Sequence, residues 1–256
     1  MKTPIITLLT DFGTRDPFVG VMKGVMLSIC PRARLVDLSH EVPPQSVAAG
    51  AFLLKSSLGY FPKGTVHLAV VDPGVGSTRR TLALKSRGRF FVGPDNGLLP
   101  AALEAWGIEG AVELTDKRYQ LPEPSATFHG RDIFAPAAAH LAAGVPFSKL
   151  GAATNNWIWR EIAKPYKGPA GWGGEVLWVD HFGNLITNLE RKHLPKPFRL
   201  RVGKAVILNL VTHYAAIKRG TVAALVGSSG CLEISANGGS AAEKLGVGIG
   251  AAVTLR

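Results

Sequence analysis

The 256-residue chain predicts an α/β N-terminal domain with a mainly parallel sheet, followed by a smaller C-terminal all-β, barrel-like domain. Three observations carry this reading. Apolar runs without polar alternation, PIITLLT at 4–10 and TVHLAVV at 65–71, suit strands buried on both faces of a parallel sheet. Helical stretches separate the strand candidates with short loops, and that alternation implies parallel pairing through right-handed crossovers. Beyond residue 164 the helical stretches stop and short strand-like runs are punctuated by glycine.

Each element has a local reason. After the first strand, Asp16-Pro17 reads as an N-cap with proline at the first helical position, opening a helix to about Ile29. Ala33–Leu38 is the second strand. Ser46 caps a helix through about Tyr60, and 65–71 is the third strand. Short strands follow at Thr81–Leu84 and Arg89–Val92, then helices at Leu98–Trp106 and about Asp132–Ala143. The stretch KPYKGPAGWGGE reads as a linker, placing a boundary near 165–172 and domains at 1–166 and 172–256. Strands are then expected at Val176–Val179, Leu185–Leu189, Arg199–Val202, Ala205–Leu208, Thr221–Val226, Cys231–Ser235 and Ala251–Leu255.

Composition excludes several classes. With 46% hydrophobic and 18% charged residues the chain is not intrinsically disordered. It holds no run of about 18 apolar residues to span a membrane, and its start lacks the apolar core of a signal peptide. Cys30 and Cys231 form no CxxC pair, so a reducing, cytoplasmic setting is expected. The net charge of +11 invites a nucleic-acid reading. The surplus is nevertheless spread, +5 before Pro165 and +6 from there on. Two concentrations, Arg79, Arg80, Lys85, Arg87, Arg89 and Arg191, Lys192, Lys196, Arg199, Arg201, carry no nucleic-acid motif, so solvated surface charge is the expectation.

In such a sheet, ligands gather beyond the carboxyl ends of the strands. The loops there carry Asp11 in DFGTRD, Asp72 in DPGVGSTR and Asp95 in GPDNG, each beside glycines that let a ligand approach the backbone. GVGSTR lacks the Gly-Lys-Ser/Thr of a phosphate loop and the third glycine of a dinucleotide fingerprint. The seven histidines show no metal-ligand spacing, and no serine sits in a GxSxG elbow. Neither a metal nor a phosphate cofactor is expected. Thr127–Asp132 (TFHGRD) places a titratable His129 just before a helix, while DHFGN at 180–184 reads as a turn between strands.

Seven segments in order, TDFGTRD (10–16), HEVPP (40–44), VVDPGVGSTRR (70–80), GPDNGLL (93–99), FHGRD (128–132), DHFGN (180–184) and GSSGCLEISANGGSA (227–241), resemble the S-adenosyl-L-methionine (SAM) hydroxide adenosyltransferase family. Its members, also called SAM hydrolases, are relatives of the fluorinating and chlorinating SAM enzymes. The resemblance covers essentially the whole chain. It implies an α/β domain plus a β-barrel, homotrimers binding SAM between one subunit's first domain and a neighbour's second, and cofactor-free cleavage of the C5′–sulfonium bond to adenosine and L-methionine.

The same resemblance assigns a catalytic Asp72, Arg79 and His129, with Gly130 where halogenases carry serine. It puts Asp11 on the ribose hydroxyls, Asp180 on the methionine ammonium, Ser228 on its carboxylate and Asn184 on adenine, with the adjacent Ser229 also among the substrate-binding residues. Phe182 and Tyr214 are implied as aromatic walls. The sequence departs from the halogenases at Gln45, where they have an aromatic residue, and at Ala236, where they have arginine. The retained triad implies water, not halide, as nucleophile. Rival expectations are a halogenase, a basic nucleic-acid-binding protein and a SAM-sensing module. SAM is itself net +1, so the basic surface is no lure for it. The scarce acidic residues matter more, since Asp11, Asp72 and Asp180 are three of only 18.

Overall fold

The computed structural model describes residues 3–169 and 171–256, in two compact units, Met1–Ile162 and Ala163–Arg256. In the first unit the order is β1 (Ile5–Thr10), α1 (Phe18–Ile29), β2 (Arg34–Ser39), α2 (Val47–Ser57), β3 (Val66–Val70), β4 (Thr81–Ser86), β5 (Arg89–Pro94), α3 (Leu98–Ala102), β6 (Gly110–Glu113), a π-helical turn (Gly130–Phe134), α4 (Ala135–Ala142) and β7 (Ala152–Ala153). Its sheet runs β2-β1-β3-β5-β4-β6-β7.

The sheet is mixed, which corrects the expectation of a mainly parallel one. β2, β1, β3 and β5 are parallel, but β5–β4, β4–β6 and β6–β7 are antiparallel. The reason is local. Arg87 and Gly88, with φ of 46° and 72°, close a two-residue hairpin between the paired Ser86 and Arg89. Two successive positive φ angles give the turn whose twist matches antiparallel strands. β6 and β7, not foreseen from the sequence, extend that antiparallel edge.

Helix ends shift as well. Pro17, not Asp16, is the N-cap of α1, and neither it nor Ser46 ahead of α2 makes a side-chain capping bond. The expected 98–106 helix stops at Ala102. Leu8, Leu68, Phe91, Phe134, Met22 and Met26 are fully buried, and each such side chain contributes about 1.5–3 kcal/mol.

The chain goes from β1 to one side (β2) and returns past it to β3 on the other. Strand order reverses there, and β1 and β3 are parallel with Thr10 opposite Val70. The loops carrying Asp11 and Asp72 therefore leave adjacent strands at the same edge, the crevice where open α/β sheets bind ligands.

In the second unit the Gly/Pro-rich stretch is no linker. β8 (Tyr166–Gly168) pairs antiparallel with the start of β9 (Gly171–Val179). β10 (Leu185–Glu190), β11 (Leu200–Val202), β12 (Ala205–Ile207), β13 (Val222–Val226), β14 (Cys231–Ala236) and β15 (Ala252–Leu255) complete an antiparallel sheet in the order β12-β11-β15-β9-β10-β14-β13. A bridge from Leu210 to Ala224 ties the chain after β12 to β13, so the barrel nearly closes. Its core holds Val176, Leu185, Leu200, Leu232 and Ile234. A short α5 (Ala241–Leu245) is capped by the Ser240 hydroxyl at its start and by Gly246, φ 63°, at its end. Among the described residues no helix is long and apolar enough to cross a membrane.

Candidate active site

Asp72 leaves β3 and Arg79 closes the same loop. The arginine Nε donates to both carboxylate oxygens, 2.9 and 3.0 Å, and Nη2 donates to Oδ2, a bidentate pair with both side chains largely buried. Gly74 and Gly76 shape the loop. At Gly76 the φ of 79° and the carbonyl of Ala126 leave no room for a side chain.

His129 reaches the same arginine from the other side, its Nδ1 2.7 Å from Arg79 Nη2. It immediately precedes the π-helical turn, in which Ala135 N–H bonds the Gly130 carbonyl five residues back. Phe134 in that turn lies fully buried under the Arg79 guanidinium, 5.3 Å from ring centre to Cζ. Asp132 braces the turn by accepting from Ser125 N–H and Arg131 Nε. π turns inserted in helices recur at functional sites because they re-aim one side chain.

The hydrogen-bond direction settles protonation. Arginine has only donors, so Nδ1 of His129 accepts and the neutral ring carries its hydrogen on Nε2. Burial, then the Arg79 charge, lowers the His129 pKa, against the opposing pull of Asp72 and Asp132. The guanidinium has five N–H groups. Nε and both on Nη2 are engaged, one on Nη1 reaches the Arg80 carbonyl at 3.4 Å, and one on Nη1 has no partner among the described residues.

Asp11 follows β1. Its Oδ2 accepts the Gln45 N–H at 2.8 Å, with Gln45 held at φ 65°, and Gly13 N–H bonds the His40 carbonyl. Thr10 supports this loop from beneath, accepting Phe12 N–H and meeting His40 Nδ1 at 2.8 Å. His40 Nε2 in turn stands 3.0 Å from Asp37 Oδ1. Phe12 packs edge-on against Phe128, the neighbour of His129, so the Asp11 loop adjoins the triad. A Cβ on Gly130 would press Met22, Phe12 and Phe128, each at 3.3 Å.

The third strand-exit carboxylate has a different task. Asp95 is buried, pairs with Arg80 and accepts Ile158 N–H at 2.7 Å, holding the 156–158 segment in place. Most of the first basic cluster is likewise partnered within this unit, although Lys85 and Arg87 are exposed. Arg79 and Arg80 hold carboxylates, and Arg87 and Arg89 flank Trp106 at 5.1 and 5.0 Å.

On the second unit, Asp180, Phe182 and Asn184 form the β9–β10 turn. Asp180 Oδ1 accepts the backbone N–H of Phe182 and Asn184, and its Oδ2 accepts the Asn184 amide at 2.8 Å. The Asn184 carbonyl oxygen is thereby turned away from Asp180. Gly183, φ 77°, lies against Ser240, and Phe182 is 74% exposed. Ser228 and Ser229 are exposed on the β13–β14 turn, which Gly227 and Gly230 close. Tyr214 opens a short turn and donates its hydroxyl to Glu233 at 2.8 Å. Sequence reasoning passed over Glu233. Its one signal was a carboxylate between Leu232 and Ile234 in a strand buried on both faces.

Two family models match the chain, described as the SAM hydroxide adenosyltransferase N-terminal domain over residues 6–151 and C-terminal domain over 174–254. A protein of Salinispora tropica named (R)-S-adenosyl-L-methionine hydrolase is 43% identical over 249 residues, 96% of this chain and 95% of that one. A protein of an Actinoplanes species named fluorinase is 34% identical over 220 residues, 75% of this chain and 74% of its own. A crystal structure described as an uncharacterized conserved protein from Thermotoga maritima matches with TM-score 0.92 and 34% identity, covering 98% of this chain and all of that one.

Proposed function

The chain belongs to the SAM hydroxide adenosyltransferase family, and from that premise we propose that it is a SAM hydrolase, releasing adenosine and L-methionine. The observation that carries this is the hydrogen-bonded Asp72–Arg79–His129 set at the strand-order reversal.

The chemistry is a direct displacement at C5′. Methionine departs from a sulfonium as a neutral thioether, so sulfur needs no acid and the reaction needs no cofactor. The task is to make an oxygen nucleophile, since bulk water has a pKa near 15.7. His129 cannot take the proton in the tautomer it holds, because Nδ1 accepts from Arg79 and Nε2 already bears hydrogen. Asp72 takes it. Its Oδ1 accepts only the Arg79 Nε–H among the described residues and keeps a lone pair for water. The remaining Arg79 N–H and His129 Nε2–H stabilise the oxygen as negative charge develops. Such positioned groups contribute about 10²–10⁴-fold, and orientation of water against C5′ adds to that.

Asp11 Oδ1 takes the ribose hydroxyls. On the other unit Asp180 takes the ammonium, Ser228 and Ser229 the carboxylate, Asn184 the adenine edge, and Phe182 and Tyr214 flank the adenosine. The resemblance to the family adds a homotrimer with each site at a subunit interface to this reading. A cytoplasmic setting agrees with a chain whose two cysteines form no paired motif.

The test is to incubate the full chain with SAM in ¹⁸O-water, with and without chloride or fluoride, and analyse products by mass spectrometry. Adenosine labelled at the 5′-hydroxyl is expected. Unlabelled adenosine, a 5′-halo-nucleoside, methylthioadenosine, or stoichiometric SAM binding without products would overturn the proposal.

A further inference from the structure

The mechanism above leaves one buried carboxylate without a task. Glu233 is only 6% exposed in the middle of β14, and among the described residues no cation lies within ion-pair distance of it. Burying a carboxylate this way is costly unless hydrogen bonds compensate it. Here two hydroxyls do so, Tyr214 and Ser235 each donating to Oε1 at 2.8 Å. Oε2 lies against the backbone of Gly227, at a position where any Cβ would collide with it.

Tyr214 is the unusual partner. Its side chain stands 53% exposed while its hydroxyl is tied to the interior. It is also near enough to Asp180, at the root of the Phe182 turn, for their charges to interact. An exposed tyrosine ring ordinarily samples several rotamers, and a ligand stacking on it must freeze them. Anchoring the far end of the ring removes that freedom in advance.

We propose that Glu233 is a positioning residue that holds the Tyr214 ring in place as the stacking surface for the adenine of SAM, a role that rests on the hydrolase reading. Ser235 shares the load on Oε1, and Gly227 provides the room the carboxylate needs.

The test compares Tyr214→Phe, Glu233→Ala, Glu233→Gln and the Tyr214→Phe/Glu233→Ala double variant, measuring adenosine Kd by calorimetry and kcat and KM for SAM. Losing the anchor weakens adenosine binding and raises KM about 3- to 10-fold, with kcat changed less than about twofold. The double variant is no worse than either single one. Glu233→Gln keeps an acceptor oxygen and stays near wild type.

A spectroscopic readout accompanies these. Burial and the Glu233 hydrogen bond push the Tyr214 hydroxyl up to about 12, and removing the carboxylate returns its absorbance titration toward the ordinary tyrosine range. Unchanged Kd and KM in Tyr214→Phe, multiplicative losses in the double variant, or a Glu233→Gln as impaired as Glu233→Ala would each overturn the proposal. Tyr214→Phe alters a surface group, so it is informative even where Glu233→Ala does not fold. Adenosine binding and the tyrosine titration need no turnover. A protein that bound adenosine as described yet left SAM intact would sink the hydrolase reading alone.

Discussion

His129→Asn separates two roles for the histidine that a plain deletion would confuse. The asparagine Oδ1 sits where Nδ1 does and can accept the same Arg79 N–H, but it cannot act as a base or relay a proton. The bond at stake is charge-assisted and 2.7 Å long, a class whose removal costs about 1.5–3 kcal/mol. Its complete loss in His129→Ala, transmitted to the arginine proposed to face the nucleophile, lowers kcat about 10- to 150-fold. His129→Asn recovers most of that, falling within about tenfold of wild type, because only the Nε2–H donor is missing.

Steady-state adenosine formation for the three proteins, across pH, decides it. Asp72→Asn serves as the comparison and is the more severe loss. If His129→Asn proved as inactive as Asp72→Asn, the acceptor assignment and the choice of Asp72 as proton acceptor would both be wrong.

Three further outcomes follow from the geometry. Gly130→Ala forces a methyl against Met22, Phe12 and Phe128 and costs about 1–3 kcal/mol, read as a fall in Tm by thermal denaturation; an unchanged Tm would show that these neighbours yield freely. His67 is buried between Phe61 and Phe91, and burial, with Arg89 adding, holds its pKa at about 3. The unfolded chain takes up this proton below about 6.5 and the folded one does not. Stability is therefore full above that pH and declines as pH falls toward 3, by as much as about 5 kcal/mol. Denaturant melts of His67→Leu should show a flatter pH dependence over that window, and an unaltered slope would refute the assignment. Asp95→Ala leaves Arg80 and the Ile158 N–H without their carboxylate and costs about 3–5 kcal/mol, measurable by urea titration; a loss under about 1 kcal/mol would show the pair to be dispensable.

Much of this was legible along the chain. Apolar runs at β1 and β3 marked the central strands because a strand covered on both faces has no reason to alternate. Glycine-punctuated runs marked the barrel for the opposite reason, short strands with tight turns. What the reading missed was non-local or depended on one turn. Arg87-Gly88 converted the outer half of the sheet to antiparallel, and KPYKGPAGWGGE became a strand pair because its hydrogen-bond partners lie next to it in the chain. Asp95 illustrates the limit of reasoning from position alone. It leaves the same sheet edge as Asp11 and Asp72, yet Arg80 and the Ile158 N–H occupy its carboxylate.

By itself the sequence determined the family, the two kinds of structure and the identity of the candidate chemical groups. These depend on residue type, order and spacing, all of which are written in one dimension. Only the tertiary structure decided how those groups share protons. That His129 accepts from Arg79 follows from an atom-to-atom contact across 50 residues, and that Glu233 bonds Tyr214 follows from one across 19. Hydrogen-bond direction is a property of atoms in space, and the division of labour within the site is set at that level.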